Sequence, residues 1–178
     1  MASPTPNGAD APAVLCDHVA AALPVSERSP FPAIAGELAR QIDAALLKLR
    51  SISSAEADRP LAPGKWSPKH VIGHLIDSAA NNHQRFVRAQ EGAALEFPAY
   101  AQDHWVASQD YQRRGWDELT SFWHSYNRHL SHVIGRIPED RRNVLCRIGT
   151  AGPVTLGYLV HDYLVHLRHH LAQLRALS

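Results

Sequence analysis

Cysteine is nearly absent from this 178-residue chain, which has only Cys16 and Cys146. Neither belongs to a CxxC or CxxCH arrangement, so thiolate-bound zinc, attached c-type haem and thioredoxin-like redox chemistry lack their ligands. Two cysteines allow at most one disulfide and say little about the compartment. Long apolar runs are missing too: nothing approaches the ~20 consecutive apolar residues of a membrane-spanning helix. The first twelve residues carry neither a basic start nor an apolar run, so no secretory leader is expected. Charge of one sign is scarce. The formal net charge is +1, and basic residues cluster no further than Arg113-Arg114 and Arg141-Arg142. A nucleic-acid interface therefore has no electrostatic footprint. The expectation is a cytoplasmic protein with neither nucleic acid nor membrane as partner. Reaction motifs are also wanting. There is no HExxH of zinc proteases, no repeated Glu-x-x-His of di-iron bundles, no GxxxxGK[ST] or GxGxxG phosphate loop and no GxSxG nucleophile elbow.

What remains is helical patterning. Residues 1–29 read as an N-terminal tail, with a short helix over Val14 to Leu23 broken by Pro24, Pro30 and Pro32. A single domain is expected over 30–178. Its first long helix starts near Phe31 and carries Ile34, Leu38, Ile42, Ala45, Leu49 and Ile52 on one face, ending near Ser53 and Ser54. The second starts at Ser67, an N-cap with Pro68 at the first helical position, and buries Ile72, Leu75, Ile76, Ala79, His83, Phe86 and Val87. Residues 93–114 form a long connection with a short helix near 101–109. A third helix spans about Trp116 to Arg136 and ends at Pro138. After an irregular stretch over 138–153, a fourth runs from about Thr155 to Ala176. No alternating strand pattern is read anywhere. The predicted fold is all-α, a four-helix bundle with long crossover connections.

Twelve histidines are the compositional anomaly, and their placement is specific. His166 and His170 stand four apart in the fourth helix, one turn from each other on one face. His74 lies beside the apolar stripe of the second helix. If those helices pack side by side, three neutral imidazoles can hold one divalent metal and leave a position open, the arrangement of a reactive centre. The competing reading is of core histidines satisfied by their neighbours. His70, four residues before His74, is a rival ligand, although it falls in the first turn after the cap. Asp77 and Asp162 are candidates for orienting the imidazoles of His74 and His166. Asn81, Arg85 and Asn127 are candidate substrate-facing groups, and Asp103 or Trp105 could close over the site. Trp105, Trp116, Phe122 and Trp123 could equally serve an interface.

The stretch Lys65-Trp66-Ser67-Pro68-Lys69-His70-Val71-Ile72-Gly73-His74-Leu75-Ile76-Asp77-Ser78 resembles the second-helix signature of the DinB/YfiT-like superfamily. So do Asn82-His83-Gln84-Arg85-Phe86, Tyr126-Asn127-Arg128-His129-Leu130 and the terminal His166-x-x-His169-His170-Leu171-Ala172-Gln173. The order and spacing of these segments cover roughly residues 30 to 176. The resemblance implies a four-helix bundle with crossovers, metal ligands at His74, His166 and His170, and frequent dimers. The chain departs from the pattern at His70, where relatives commonly carry an acidic residue.

Members of that superfamily are mostly described as metal-dependent hydrolases, while some resemble enzymes that join a low-molecular-weight thiol to an electrophile or isomerases that use one. The expected protein is a divalent-metal enzyme, zinc first and nickel second, acting on a small molecule by hydrolysis or thiol transfer and forming a homodimer. The alternative is a non-catalytic, metal-stabilised bundle that binds a partner. A haem held by two histidines is a remote third.

Overall fold

The computed structural model describes residues 29–174. The tail residues 1–28 and the short helix expected over 14–23 lie outside them. Four long helices form the body: α1 (Phe31–Leu49), α3 (Pro68–Arg88), α5 (Trp116–Gly135) and α6 (Leu156–Leu174). Short helices α2 (Ser54–Ala57) and α4 (Gln102–Ser108) and two 3-10 turns, Tyr111–Arg113 and Glu139–Arg141, lie in the connections.

Each helix forms where cap and apolar period agree. α1 ends at Leu49, earlier than the periodicity suggests. Ser53 then starts a new turn, its hydroxyl accepting from the Glu56 amide while the Glu56 carboxylate accepts from the Ser53 amide. Ser67 caps α3 in the same way, and here the third helical residue is His70. Its Nδ1 accepts from the Ser67 amide at 3.4 Å, and the Ser67 hydroxyl accepts from the His70 amide at 3.3 Å. The rival metal ligand is thus spent on a helix cap. α4 matches the short helix expected near 101–109.

Around the bundle the order is α1, α5, α3, α6, each packed on its neighbours. α1 and α3 are consecutive long helices yet stand diagonally, as do α5 and α6. That requires long connections to cross the bundle. It also sets α3 against α6, which is what the two histidine-bearing segments need. The core runs between them through Phe31, Leu38, Ile42, Ile72, Leu75, Phe86, Trp123, Leu130, Leu164 and Leu167, all buried. Trp116 and Trp123 belong to it and not to an interface. The Trp116 indole donates to the Leu49 carbonyl at 3.0 Å.

One expectation fails. Two connections carry a small sheet of order β1-β2-β3. β1 (Ala94–Phe97) pairs in parallel with β2 (Leu145–Ile148), and β2 pairs antiparallel with β3 (Val154–Thr155). Leu95 stands opposite Cys146, and both are buried. The strands staple the long crossovers together next to the histidine site.

Candidate metal centre

His74 on α3 and His166 and His170 on α6 converge. The Nε2 atoms of His74 and His166 lie 3.1 Å apart, as do those of His166 and His170. One nitrogen from each ring falls within a cluster 4.8 Å across, and among the described residues no other group of three or more His, Cys, Asp or Glu converges in this way. Trp66, just before the α3 cap, packs its ring 5.2 Å from that of His74 and closes one side.

These contacts are poorly explained as hydrogen bonds alone. A neutral imidazole nitrogen either carries one proton or offers one lone pair. His166 Nε2 cannot satisfy two neighbouring Nε2 atoms well in either state. One shared cation satisfies all three, and nitrogens that each ligate an ion at ~2.1 Å are separated by roughly 3.0–3.4 Å. The rings are also held neutral, the form that ligates. Burial drives His74 down to about 3, helped by the nearby His170. Burial, then His170 and His74, pushes His166 well below the ordinary histidine range. His170 is lowered by burial, with Gln173 pulling the other way. The donor set therefore fits a divalent metal.

The remaining ring nitrogens show what orients each imidazole. His170 Nδ1 lies 3.0 Å from Gln173 Oε1, so a proton on Nδ1 leaves the Nε2 lone pair facing the cluster. His166 Nδ1 lies 3.5 Å from the Ser78 hydroxyl. Asp162, expected to orient His166, makes no such bond and instead lines the adjoining cavity. His74 Nδ1 is buried without a partner, as is Oδ2 of Asp77 one turn on. Oδ1 of Asp77 is held by the Tyr111 hydroxyl at 2.7 Å and by the Gln109 amide. Gly73 makes that possible: a Cβ there would stand 2.1 Å from the Tyr111 ring, so only glycine lets the ring lie against α3.

A cavity of about 50 Å³ opens beside His74 and His166. Arg85 and Asp162 line it as charged groups, Ser78, Asn82, Tyr100, Gln102 and Tyr163 as polar ones, and Ile148 and Leu159 as apolar wall. Of the candidate substrate-facing residues, only Arg85 reaches it. Asn81 donates to the Asp77 carbonyl at 2.9 Å and lines an outer cleft with Trp105. Trp105 packs 5.1 Å from the Tyr100 ring, and Asp103 is exposed on α4. Asn127 is wholly buried, donates to the Trp123 carbonyl at 2.9 Å and accepts from the Tyr163 hydroxyl, so it serves the core and not a ligand. Sequence reasoning missed Ser78, Asn82, Tyr100 and Gln102. Only the i,i+4 spacing of Ser78 and Asn82, in register with His74, could have pointed to the first two.

Comparison with known proteins agrees with this geometry. The profile of the DinB superfamily matches residues 18–174. The chain belongs to the DinB superfamily. A curated relative from Bacillus mycoides (strain KBAB4), named "Putative metal-dependent hydrolase", is 23% identical over 141 residues, 79% of this chain and 77% of its own. The solved structure of YfiT from Bacillus subtilis superposes with a TM-score of 0.69 at 20% identity, covering 83% of each chain. It is described as "a probable metal-dependent hydrolase with an unusual four-helix bundle topology". This DinB chain shares that four-helix-bundle fold. No helix among the described residues is long and apolar enough to cross a membrane.

Proposed function

We propose that this DinB-superfamily chain is a metal-dependent hydrolase of small molecules, with one divalent ion held by His74, His166 and His170. The carrying observation is the convergence of three neutral Nε2 atoms beside a cavity lined by charged and polar groups. The names of the Bacillus mycoides and Bacillus subtilis relatives support hydrolysis. Zinc is the first choice and nickel the second, since an all-imidazole set with open positions suits both.

His74, His166 and His170 would hold the ion without neutralising its charge, and the ion would supply Lewis acidity and a water acidic enough to serve as nucleophile near neutral pH. The chain's own groups do the rest. Gln173 and Ser78 fix the ring planes of His170 and His166. Asp77, anchored by Tyr111 and Gln109, offers Oδ2 on the helical turn next to His74 Nδ1. Burial lifts the Asp162 carboxyl to about 6, with Arg85 drawing it down. A carboxyl at that value gains and loses a proton close to neutrality, the property asked of a general acid–base.

Transfer of a low-molecular-weight thiol to an electrophile is the competing reaction. Cys146 does not supply that thiol: it is buried and its pKa is pushed up to about 11, so the thiol would enter as a second substrate. The test is metal analysis of untagged protein, followed by parallel ester and amide hydrolysis and thiol-conjugation assays. One ion per chain, lost in His170→Ala, with hydrolytic turnover is the expected result. Metal without turnover on either set would leave a metal-stabilised binding module. Conjugation without hydrolysis would assign the thiol reaction.

A further inference from the structure

Arg85 is a buried residue, 8% exposed, on the same helix as His74, and it lines the same cavity. A charge taken out of water needs a partner, and an arginine has five donors to place. Here its one hydrogen bond to a described residue is long, Nη1 to Asn82 Oδ1 at 3.4 Å, and its Nε is buried with none. The Phe97 ring covers it at 5.5 Å from the centroid. Asp162 lies close enough to be felt by Arg85, yet no ion pair joins them within 4.0 Å. The cavity thus holds a positively charged fork, only partly compensated, next to three imidazoles.

We propose that Arg85 is the substrate anchor of this site and receives a carboxylate group carried by the small molecule on which the enzyme acts. This deepens the metal-dependent reading and rests on it for the reacting end. A planar carboxylate matches the guanidinium fork in two parallel bonds. A cavity of about 50 Å³ holds little more than the carboxylate itself, and the rest of the molecule would extend through its open side. Ile148 and Leu159 supply the apolar wall along which a few methylenes would lie. Asp162 selects against dianions, because a second negative charge would face its carboxylate. The substrate class is therefore a short aliphatic monocarboxylate derivative, held by its carboxylate at Arg85 with its scissile group toward the histidines.

The test uses the full chain stripped of metal by a chelator, so that a carboxylate cannot bind through an ion. Titration calorimetry and NMR follow butyrate, its neutral isostere butyramide, and inorganic phosphate. Butyrate is expected to saturate with a Kd on the order of 1 mM, with butyramide at least tenfold weaker. Arg85→Gln should weaken butyrate at least tenfold and leave butyramide unchanged, Arg85→Lys should fall between, and Asp162→Asn should bind butyrate at least as tightly as wild type. Equal binding of butyrate and butyramide, no saturation with butyrate, or an Arg85→Lys protein that is folded and binds like one lacking the charge would overturn the assignment. So would phosphate binding more tightly than butyrate. Metal content measured on the same variants reads the histidine site separately, so a chain that binds no metal yet prefers butyrate fails in the first reading and not in this one.

Discussion

Two of the three histidines of helix α3, His74 and His83, stand nine residues apart, and each meets ring-bearing neighbours on another helix. At His74 the neighbours are His166 and His170 on α6, and the Nε2 atoms point at one another. At His83 they are Tyr126 and His129 on α5. There Nδ1 lies 3.3 Å from the Tyr126 hydroxyl, and the His129 ring stands edge-on at 5.1 Å. The first cluster leaves ring nitrogens facing each other with too few protons to share. The second already has a phenol to satisfy its ring and keeps His129 exposed to water. Proximity of histidines alone does not offer a metal site; unspent lone pairs aimed at one point are what could hold an ion.

The largest expected effect breaks this contrast directly. His74→Ala or His166→Ala should abolish stoichiometric metal, by elemental analysis of dialysed protein, while His83→Ala and His129→Ala should retain it. Equal loss in both pairs would erase the distinction.

The next concerns the support beneath His74. Gly73→Ala places a methyl inside the Tyr111 ring. Overpacking of this kind costs about 1–3 kcal/mol, and here it also pulls the Tyr111 hydroxyl from Asp77. A fall in Tm by several degrees, read by calorimetry, together with weaker metal retention is expected. The matching change near the second cluster, Gln84→Ala, lies on the exposed face and should move Tm little.

A smaller effect isolates orientation from ligation. Gln173→Ala removes the acceptor at His170 Nδ1 and touches none of the three clustered Nε2 atoms; its other contact, the amide nitrogen 3.2 Å from His169 Nε2, lies outside the cluster. Loss of an orienting partner typically lowers metal affinity 10- to 100-fold. Competition with a chromogenic chelator should show that drop with Tm of the metal-free protein unchanged. An unaltered affinity would mean that His170 is held by its rotamer alone.

How far the sequence carried differs along the same lines. The helices were legible because Ser67-Pro68 and the 3.5-residue stripes act locally. So was the pairing of His166 with His170, fixed by one helical turn, and the match of several ordered segments to the DinB family brought His74 to them. The sheet was not legible. Leu145-Cys146-Arg147-Ile148 does alternate, exposed then buried, but four residues give too short a period, and β1 depends on a partner about fifty residues away. The fate of His70 turned on a capping box usually built with Glu or Gln, in which an imidazole stands in. Asn127 was misplaced because a polar residue at a core position reads as ligand-facing until its partner, Tyr163 on another helix, is seen. Asp162 precedes His166 by one turn, but its carboxylate turns to the cavity that Arg85 shares, a choice made by α3 and not by α6.

The smallest effect separates the two faces of α6. One face gives histidines to α3; the other gives Arg168 to Glu37 on α1. Hydrogen bonds from Gln41, Arg40 and Arg168 hold the Glu37 carboxyl down to about 2. A carboxylate with a lowered folded-state pKa adds stability that is complete above its ordinary value near 4.5 and is lost as pH falls toward 2. Because the group is partly exposed, water screens it, and about 1 kcal/mol is the scale to expect. Glu37→Gln should therefore lower stability by about that amount at pH 7, measured by urea titration, and the difference from wild type should vanish by pH 2. Metal content at pH 7 should be untouched, since this contact fixes where α6 rests on α1 and not how its imidazoles meet His74. A Glu37→Gln protein that loses its metal would show instead that the two faces of α6 are coupled.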